Sequence, residues 1–341
     1  MNLKLSTTLD IIGQMNRENI QYAVLRNYEE YPEFGHDIDL VVSMKDLSRW
    51  AGIVRECALA NGWSAVTMCE HWAQSTFPEH TIQILRLYTE SPVQFLQIDA
   101  FHSFLIVGCP LFDEATLLRG RVWDERGFYR IDEEAENVIR LLQIAKLVGR
   151  DGPSKKVERY RNRLLAFTER REGNPFPSIE SSLSPLSVPL SLLKSGRLQR
   201  FKAELNKRKV GWLTRRMIAD PLHISKLVMA RLMDYGRMIS MRPCGFVIHV
   251  WASDMGQRER LEIATAKLVN AHVVPLFSAS RKKKVRRKVK SLGGVVFDYV
   301  SRDNAEMVID RETADDEIEG ALLHRMIERH PKICEQRNRR T

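Results

Sequence analysis

The sequence predicts a mixed α/β protein, and three observations support this prediction. Segments with an apolar stripe at helical spacing alternate with short apolar runs that end in turn residues. Apolar residues make up 44% and charged residues 28% of the chain, which is typical of a folded globular protein. With 341 residues, the chain is longer than one average domain, so we expect at least two domains.

The first predicted helix occupies the N-terminal segment. Ser6 is expected to cap it, and Asn19 is expected to end it in a left-handed conformation. Its predicted inward side chains are Leu9, Ile12 and Met15. Two strands are expected next, over residues 21–25 and 37–42, separated by a loop rich in turn formers.

A second helix is predicted from a capping-box pattern, in which Ser43 is followed three residues later by Asp46. This helix should bury Trp50 and Val54 and end at Gly62. Three further strands are then expected, over residues 63–69, 81–88 and 93–99. The opening of the chain is therefore a sheet with helices interleaved.

Asp37 and Asp39 are the first candidates for chemistry. Residues two apart on a strand point to the same face, so these carboxylates should lie side by side while Ile38 and Leu40 face the core. Two adjacent carboxylates repel one another, and a cation such as magnesium between them would relieve that repulsion. Asp99 closes a later strand and could serve the same metal as third ligand or as base. Taken alone, Asp37 and Asp39 are equally compatible with a solvated strand end.

The surrounding residues resemble the nucleotidyltransferase superfamily with the polymerase-beta-like fold. The resemblance rests on Tyr22-Ala-Val-Leu-Arg-Asn-Tyr-Glu29 and Gly35-His-Asp-Ile-Asp-Leu-Val-Val42, and is strongest to a bacterial branch linked to surface-polysaccharide clusters. It implies a mixed α+β sheet over residues 1–130, with Asp37, Asp39 and Asp99 as both catalytic and metal-binding residues. The usual glycine-containing phosphate loop of the superfamily is replaced here by Arg26 and Asn27.

The resemblance also implies an activity and its ligands. Two magnesium ions would assist attack of an acceptor on the α-phosphate of a nucleoside triphosphate such as ATP, with release of pyrophosphate. Arg26, Asn27 and Tyr28 would bind the nucleotide, because the fork of donors on Arg26 suits phosphate oxygens. A surface ion pair of Arg26 with Glu29 or Glu30 is the alternative. A sugar phosphate or glycan precursor would be the acceptor.

A helical extension is predicted over residues 131–171, capped at Asp132 and ending at Gly149. In the resembled family such a region closes over the nucleotide, so Lys146 is a candidate nucleotide contact. Lys155 and Tyr160 are candidates of the same kind. For all three, an ordinary place on a solvated helix is the simpler interpretation.

Residues 172–196 combine prolines and serines and are interpreted as a linker. Basic helices are expected over residues 197–243, one of them beginning at Asp220 and Pro221. The predicted inward side chains of that helix are Ile224, Leu227, Val228, Leu232 and Tyr235. Core packing is favoured over membrane-surface binding for this region.

The last segment, residues 244–341, alternates strand and helix patterns, which predicts a parallel sheet. Its start resembles a thymidylate-kinase-like P-loop domain, but Met255 and Gln257 fill glycine positions, and Arg258 replaces the phosphate-binding lysine. Glu259 replaces the hydroxyl residue that would bind magnesium. We therefore expect a degenerate domain without kinase activity.

The net charge of +10 is concentrated in residues 281–290, which hold eight cations and no anion. This run could bind nucleic acid, but Val285 and Val289 at helical spacing favour a solvated helix face. Three functions therefore remain open: a nucleotidyltransferase, a catalytically silent nucleotide-binding scaffold, and a nucleic-acid-binding protein.

The expected compartment is the cytoplasm. The sequence contains neither a signal-peptide core nor an apolar run long enough for a membrane span. Its five cysteines are scattered, so we expect reduced and mostly buried thiols rather than a zinc site or disulfides.

Overall fold

The computed structural model describes most of residues 3–240 and, beyond them, the strands of a second sheet with residues 317, 320 and 321. Within the first part, the residues not described are 27, 29–30, 33–36, 64, 70–76, 91–92, 150–154, 172, 178–182 and 184–185. The described residues form a mixed α/β structure, as predicted.

The opening elements follow the predicted order of a helix, two strands, a helix and three strands, whereas the four strands and the short helix between residues 104 and 130 were not predicted. The helices are α1 (Leu3–Arg17), α2 (Leu47–Ala60), α3 (Glu114–Arg119), α4 (Glu133–Leu147), α5 (Lys155–Glu169), α6 (Ser187–Lys194), α7 (Leu198–Ala219) and α8 (Pro221–Ser240). The strands are β1 (Tyr22–Val24), β2 (Asp37–Val42), β3 (Ala65–Cys69), β4 (Ile82–Glu90), β5 (Val93–Phe101), β6 (Phe104–Ile106), β7 (Cys109–Phe112), β8 (Val122–Asp124), β9 (Phe128–Arg130), β10 (Phe246–Val250), β11 (Phe277–Ser278), β12 (Val295–Asp298) and β13 (Met307–Ile309).

The larger sheet has seven strands in the order β3-β4-β5-β2-β1-β9-β8. Its central pair, β2 and β5, is parallel, whereas β1 with β2 and β4 with β5 are antiparallel. Side chains alternate between the two faces of each strand, so each face can be covered by a separate set of helices. The sheet therefore contributes to two hydrophobic cores.

The first face of the sheet packs against α1 and α2. Ile38, Leu40 and Ile98 lie on it and join a core that includes Trp50 and Val54 of α2. Ile38 and Leu40 are at most 2% exposed, which confirms that they face the core. Asn19 ends α1 with a positive φ of 54°, also as predicted.

Three predictions for this face are wrong: two concern helix caps, at Ser6 and Ser43, and one concerns the inward side chain of Leu9. Ser6 lies inside α1, which begins at Leu3, and its hydroxyl donates to the Leu3 carbonyl instead of capping the helix. Leu9, predicted to be inward, is 41% exposed, because the buried stripe of α1 runs through Ile11 instead. Ser43 makes no side-chain cap, because its hydroxyl donates to Glu114 of α3.

The second face packs against the helices that follow the sheet. Ala23, Val41 and the apolar stripe of α4 join one core, which extends to α5, α6 and α7. Asp132 caps α4 as predicted, since its carboxylate accepts the backbone N–H groups of Glu134 and Ala135. The helical layer therefore lies directly over this face.

Part of the Pro- and Ser-rich segment interpreted as a linker belongs to this core. Residues Ser187–Lys194 form α6, and Phe176, Leu183 and Leu193 are fully buried among the helices. In α8, Ile224 and Leu227 are buried as predicted, but Leu232 and Tyr235 are 57% and 45% exposed. The prediction for those two residues is wrong, because α8 contacts its neighbours through only part of the predicted stripe.

The second sheet is parallel in every described pairing, as the alternation of patterns predicted. Its order is β11-β12-β10-β13, with β10 between two later strands. Residues 251–276, which hold the degenerate P-loop positions, and the basic run 281–290 lie outside the described residues.

Two sequence expectations concern membrane spans and cysteines. In the part of the chain that the structure describes, no helix has the length and hydropathy that crossing a bilayer requires. Cys57 is half-buried and Cys109 is buried, and both are free thiols.

The β6–β7 hairpin is fixed to α8 at Gly108. The buried His80 ring donates from Nε2 to the Gly108 carbonyl (2.7 Å), and its Nδ1 lies 3.2 Å from Asp234 of α8. Gly108 has a φ of +86°, and a Cβ there would lie 2.8 Å from Arg231 Cβ and 2.9 Å from the Leu227 carbonyl. The position therefore requires glycine for both conformation and space.

We expect Gly108→Ala to lower the free energy of unfolding by roughly 2 to 4 kcal/mol, because it combines overpacking with left-handed strain. Gly127→Ala is the matched control, since Gly127 has a φ of +94° but open space where an alanine Cβ would lie. The control should lose only about 1 kcal/mol. Urea unfolding of both variants measures the difference, and equal losses would contradict the packing explanation.

Candidate functional site

The three predicted carboxylates lie on one face of the larger sheet. Asp39 of β2 is aligned with Asp99 of the parallel strand β5, and Asp37 is aligned with Gln97. Since residues two apart share a face, Asp37, Asp39 and Asp99 all point toward the helical layer. The tertiary structure thus brings the two motif carboxylates of β2 next to a carboxylate from a distant part of the chain.

Asp39 is buried and paired with a cation. It is 3% exposed, and its Oδ2 accepts a short, charge-assisted hydrogen bond from Nε of Arg26. Arg26 follows β1, and the N–H of Leu25 donates to the Asp39 carbonyl (2.8 Å), which holds the two chain segments side by side. Burial opposes the charge of Arg26, but attraction to Asp39, its hydrogen bond and nearby groups that include Asp37 hold the pKa of Arg26 above its ordinary value.

Asp99 lies in a different environment. Burial, and then repulsion by Asp39 and Asp37, raises the pKa of the Asp99 carboxyl to about 8. Gln97 donates to its Oδ2 (3.2 Å), and Arg86 donates in turn to Gln97 (3.1 Å). The other oxygen, Oδ1, is buried and has no hydrogen-bond partner among the described residues. Asp99 is therefore a carboxyl that an incoming cation or hydrogen-bond donor would satisfy.

The donor set at these carboxylates suits magnesium in part. All its donors are oxygens, and Asp99 Oδ1 is an acceptor without a donor in the described part of the chain. Among the described residues, however, no group of three or more His, Cys, Asp or Glu side chains is placed to hold a metal ion. Arg26 supplies the positive charge at Asp39. The donor chemistry therefore suits magnesium, but the described side chains are not arranged as a metal site.

A polar cluster that the sequence analysis missed lies on α4 and contacts Tyr28. Glu136 and Arg140 of α4 are 1% and 7% exposed and form an ion pair with each other. Tyr28 donates its hydroxyl to Glu136 (2.6 Å), and Arg140 donates to Asn137 (2.6 Å). The sequence did carry a signal for this cluster, because three polar residues lie within the amphipathic pattern of α4. The sequence analysis considered only the apolar stripe of that helix.

Cations also surround the Tyr28 ring. The guanidinium groups of Arg126 and Arg130 lie 5.7 and 5.4 Å from its centroid, and Phe128 packs against it at 6.1 Å. Arg126 also donates to the Tyr28 carbonyl (2.7 Å). Such an arrangement presents cations and aromatic faces together, which suits a ligand that carries both phosphates and a ring.

The other predicted nucleotide contacts are Tyr160, Lys146, Lys155 and Asn27. Tyr160 of α5 is 2% exposed and is near enough to Arg26 to influence its pKa. Lys146 is exposed and lines a cavity that none of the three carboxylates lines, and Lys155 is exposed at the start of α5. Asn27 lies outside the described residues.

The raised pKa of Asp99 predicts a pH dependence of stability. Between about pH 4 and pH 8 the folded protein holds a proton on Asp99 that the unfolded chain releases, so metal-free protein should lose stability as the pH rises through this window. Between pH 5 and pH 8.5, the free energy of unfolding should fall less in Asp99→Asn than in wild type, by on the order of 2 kcal/mol.

Urea unfolding with a chelator present, at both pH values, measures this effect. Asp124→Asn is the control, because a hydrogen bond from Arg126 lowers the pKa of Asp124 and places its titration below this window. The same pH dependence in wild type and Asp99→Asn would show that Asp99 is not protonated in the folded protein.

Comparisons with protein-family models, with curated proteins and with solved structures find no match to this chain. The function of the site is therefore inferred from its own geometry and chemistry.

Proposed function

We propose that this protein is a magnesium-dependent nucleotidyltransferase, which moves a nucleoside monophosphate from a nucleoside triphosphate to a small acceptor. The observation that carries the proposal is the alignment of Asp39 with Asp99 on neighbouring parallel strands, with Asp37 on the same face. The polymerase-beta-like fold, suggested by the motifs around these residues, belongs to the same proposal. A mixed sheet with its carboxylates under a helical layer supports it.

Asp37, Asp39 and Asp99 would hold the metal. When bound, magnesium would neutralise charge on the phosphates and lower the pKa of the acceptor hydroxyl. Bound magnesium would also remove the proton that the raised pKa of Asp99 keeps on this carboxyl, and the buried oxygen that has no hydrogen-bond partner among the described residues would then accept the proton of that hydroxyl. Asp37 and Asp99 are partly accessible whereas Asp39 is buried, so an incoming phosphate-bound ion would meet one of those two first.

Arg26 and Tyr28 would bind the nucleotide, with Asn27 beside them in the chain. In this proposal the Arg26 guanidinium turns from Asp39 to the phosphates when magnesium takes its place beside the carboxylate. The helical layer contributes Tyr160 near Arg26, and Tyr28 contacts the pair formed by Glu136 and Arg140. Tyr160 and Arg140 are both buried, so the phosphates would be held away from bulk water. A low dielectric strengthens such contacts.

The C-terminal domain has a structural or interaction role in this proposal. Its parallel sheet is compatible with a P-loop-like domain. The substitutions at Met255, Gln257 and Arg258 remove the glycines and lysine on which phosphate binding depends. Catalysis is therefore assigned to the N-terminal domain alone. An acceptor from surface-polysaccharide synthesis rests only on the sequence resemblance.

A catalytically silent nucleotide-binding scaffold is the second candidate, and one observation favours it. Arg26 neutralises Asp39 internally, so the buried carboxylate has a counter-ion without any metal. If that ion pair is permanent, the protein could bind a nucleotide without turning it over. The two candidates differ in what Arg26 does when nucleotide is present.

The first test is calorimetric titration of each nucleoside triphosphate, with magnesium, into wild type and into Asp37→Asn/Asp39→Asn. The double variant should bind at least about tenfold more weakly, because it loses both charges that hold the metal. Glu56→Gln/Glu125→Gln removes two exposed carboxylates and should bind as wild type does. Absence of magnesium-dependent binding to the wild type would exclude the proposed enzyme.

A second test separates the enzyme from the scaffold. For the enzyme, Arg26→Gln should weaken nucleotide binding about tenfold, because a charge-assisted contact to phosphate is lost. For the scaffold, the same change leaves nucleotide affinity unaltered and exposes Asp39 to magnesium. Arg55→Gln, which removes an exposed cation from α2, is the control in the same titrations.

A further inference from the structure

A cavity lies on the carboxylate face of the sheet, and neither Arg26 nor any of the three carboxylates lines it. It has a volume of about 530 Å³, which is within the range of small-molecule sites. Its walls come from the ends of β4 and β5, from the β6–β7 hairpin, and from α4, α7 and α8. Among the described residues, it is thus formed where three helices meet the sheet.

The cavity is rich in positive charge. Of the described residues that line it, Lys146 of α4, Lys209 of α7 and Arg231 of α8 are cations, against a single carboxylate, Glu79. Burial, and then the charge of Lys202, lowers the pKa of Lys209. The three cations come from separate helices, and a bound anion would be attracted to all of them.

The rest of the lining is both apolar and polar. Ile82 and Phe101, which are paired on β4 and β5, form an apolar wall with Leu142 of α4. Glu79 also lines the cavity, and its Oε2 is buried without a hydrogen-bond partner in the described part of the chain. This lining suits a molecule with an anionic group, an apolar body, and a hydroxyl that can donate to Glu79.

The location relates this cavity to the carboxylates. Phe101 follows Asp99 by two residues on the same face of β5, so it lies about 7 Å further along the strand. Arg26 lies on the opposite side, beyond β2 and next to β1. The carboxylates are therefore between Arg26 and Phe101 within the sheet, so a molecule in the cavity would approach them from the side opposite the proposed nucleotide contacts.

We propose that this cavity binds the acceptor of the transfer reaction, and that the acceptor is a small hydroxylated organic anion. The role as acceptor rests on the proposed function, whereas anion binding in the cavity does not. In this assignment Lys146 contacts the acceptor instead of the nucleotide.

The test uses pyridoxal 5′-phosphate on the full-length, metal-free protein. This probe carries a phosphate, a hydroxyl and an apolar ring. Its aldehyde condenses with a lysine amine, releasing water, and borohydride reduces the imine to a stable secondary amine. Peptide mass spectrometry then gives the rate of modification at each lysine.

Lys146 and Lys209 should be modified about tenfold faster than Lys156 and Lys207, which are cations outside the cavity. Pyridoxal, which lacks the phosphate, is the control probe and should show no such preference. Equal rates at the four lysines, or the same preference with pyridoxal, would overturn the proposal, because the preference would then reflect amine reactivity alone.

Two variants test the position of the anion. Gln143→Glu places a carboxylate on the cavity wall and should slow modification of Lys146 and Lys209 about fivefold by repulsion. Lys226→Gln changes the net charge equally on an exposed part of α8 and should leave both rates unchanged. Unaltered rates in Gln143→Glu would show that the probe binds elsewhere.

The last measurement separates this inference from the proposed function. Asp37→Asn/Asp39→Asn should be modified as wild type is, even though it no longer binds nucleotide with magnesium. Protein modified at Lys146 should keep that nucleotide binding. If modification abolishes nucleotide binding, the cavity belongs to the nucleotide and the acceptor assignment is wrong.

Discussion

The charge of Asp39 is the constraint on which the carboxylate face depends. A carboxylate that is only 3% exposed would cost several kcal/mol if it were left without a partner. Arg26 supplies that partner, and its position requires the chain to leave β1 directly beside β2. Asp99 meets the same constraint in another way, because its raised pKa lets it carry a proton instead of a second buried charge.

In the proposed function, this arrangement connects metal binding to the position of Arg26. A divalent cation and the guanidinium are alternative counter-ions for Asp39, and both cannot lie against the same oxygen. A displaced Arg26 would still lie two residues from Tyr28, whose hydroxyl donates to Glu136. Phosphates entering there would receive Arg26, so magnesium and the nucleotide should bind together more favourably than either does alone.

The sequence by itself determined the features that depend on local periodicity. Alternation along β2 placed Asp37 and Asp39 on one face and Ile38 and Leu40 on the other. Turn and cap chemistry placed the left-handed residue Asn19 and the cap of α4 correctly, since both depend on neighbours within a few positions. The strand and helix alternation of the last segment likewise predicted its parallel sheet.

The tertiary structure decided what depends on which elements pack together. Leu9 and Leu232 fit helical stripes but are exposed, because their helices contact neighbours through only part of each stripe. Arg26 was assigned to phosphate or to a nearby glutamate, and only the pairing of β1 with β2 made Asp39 its partner. Sequence periodicity shows which residues share a face, but burial and ion pairing are properties of the surface that covers that face.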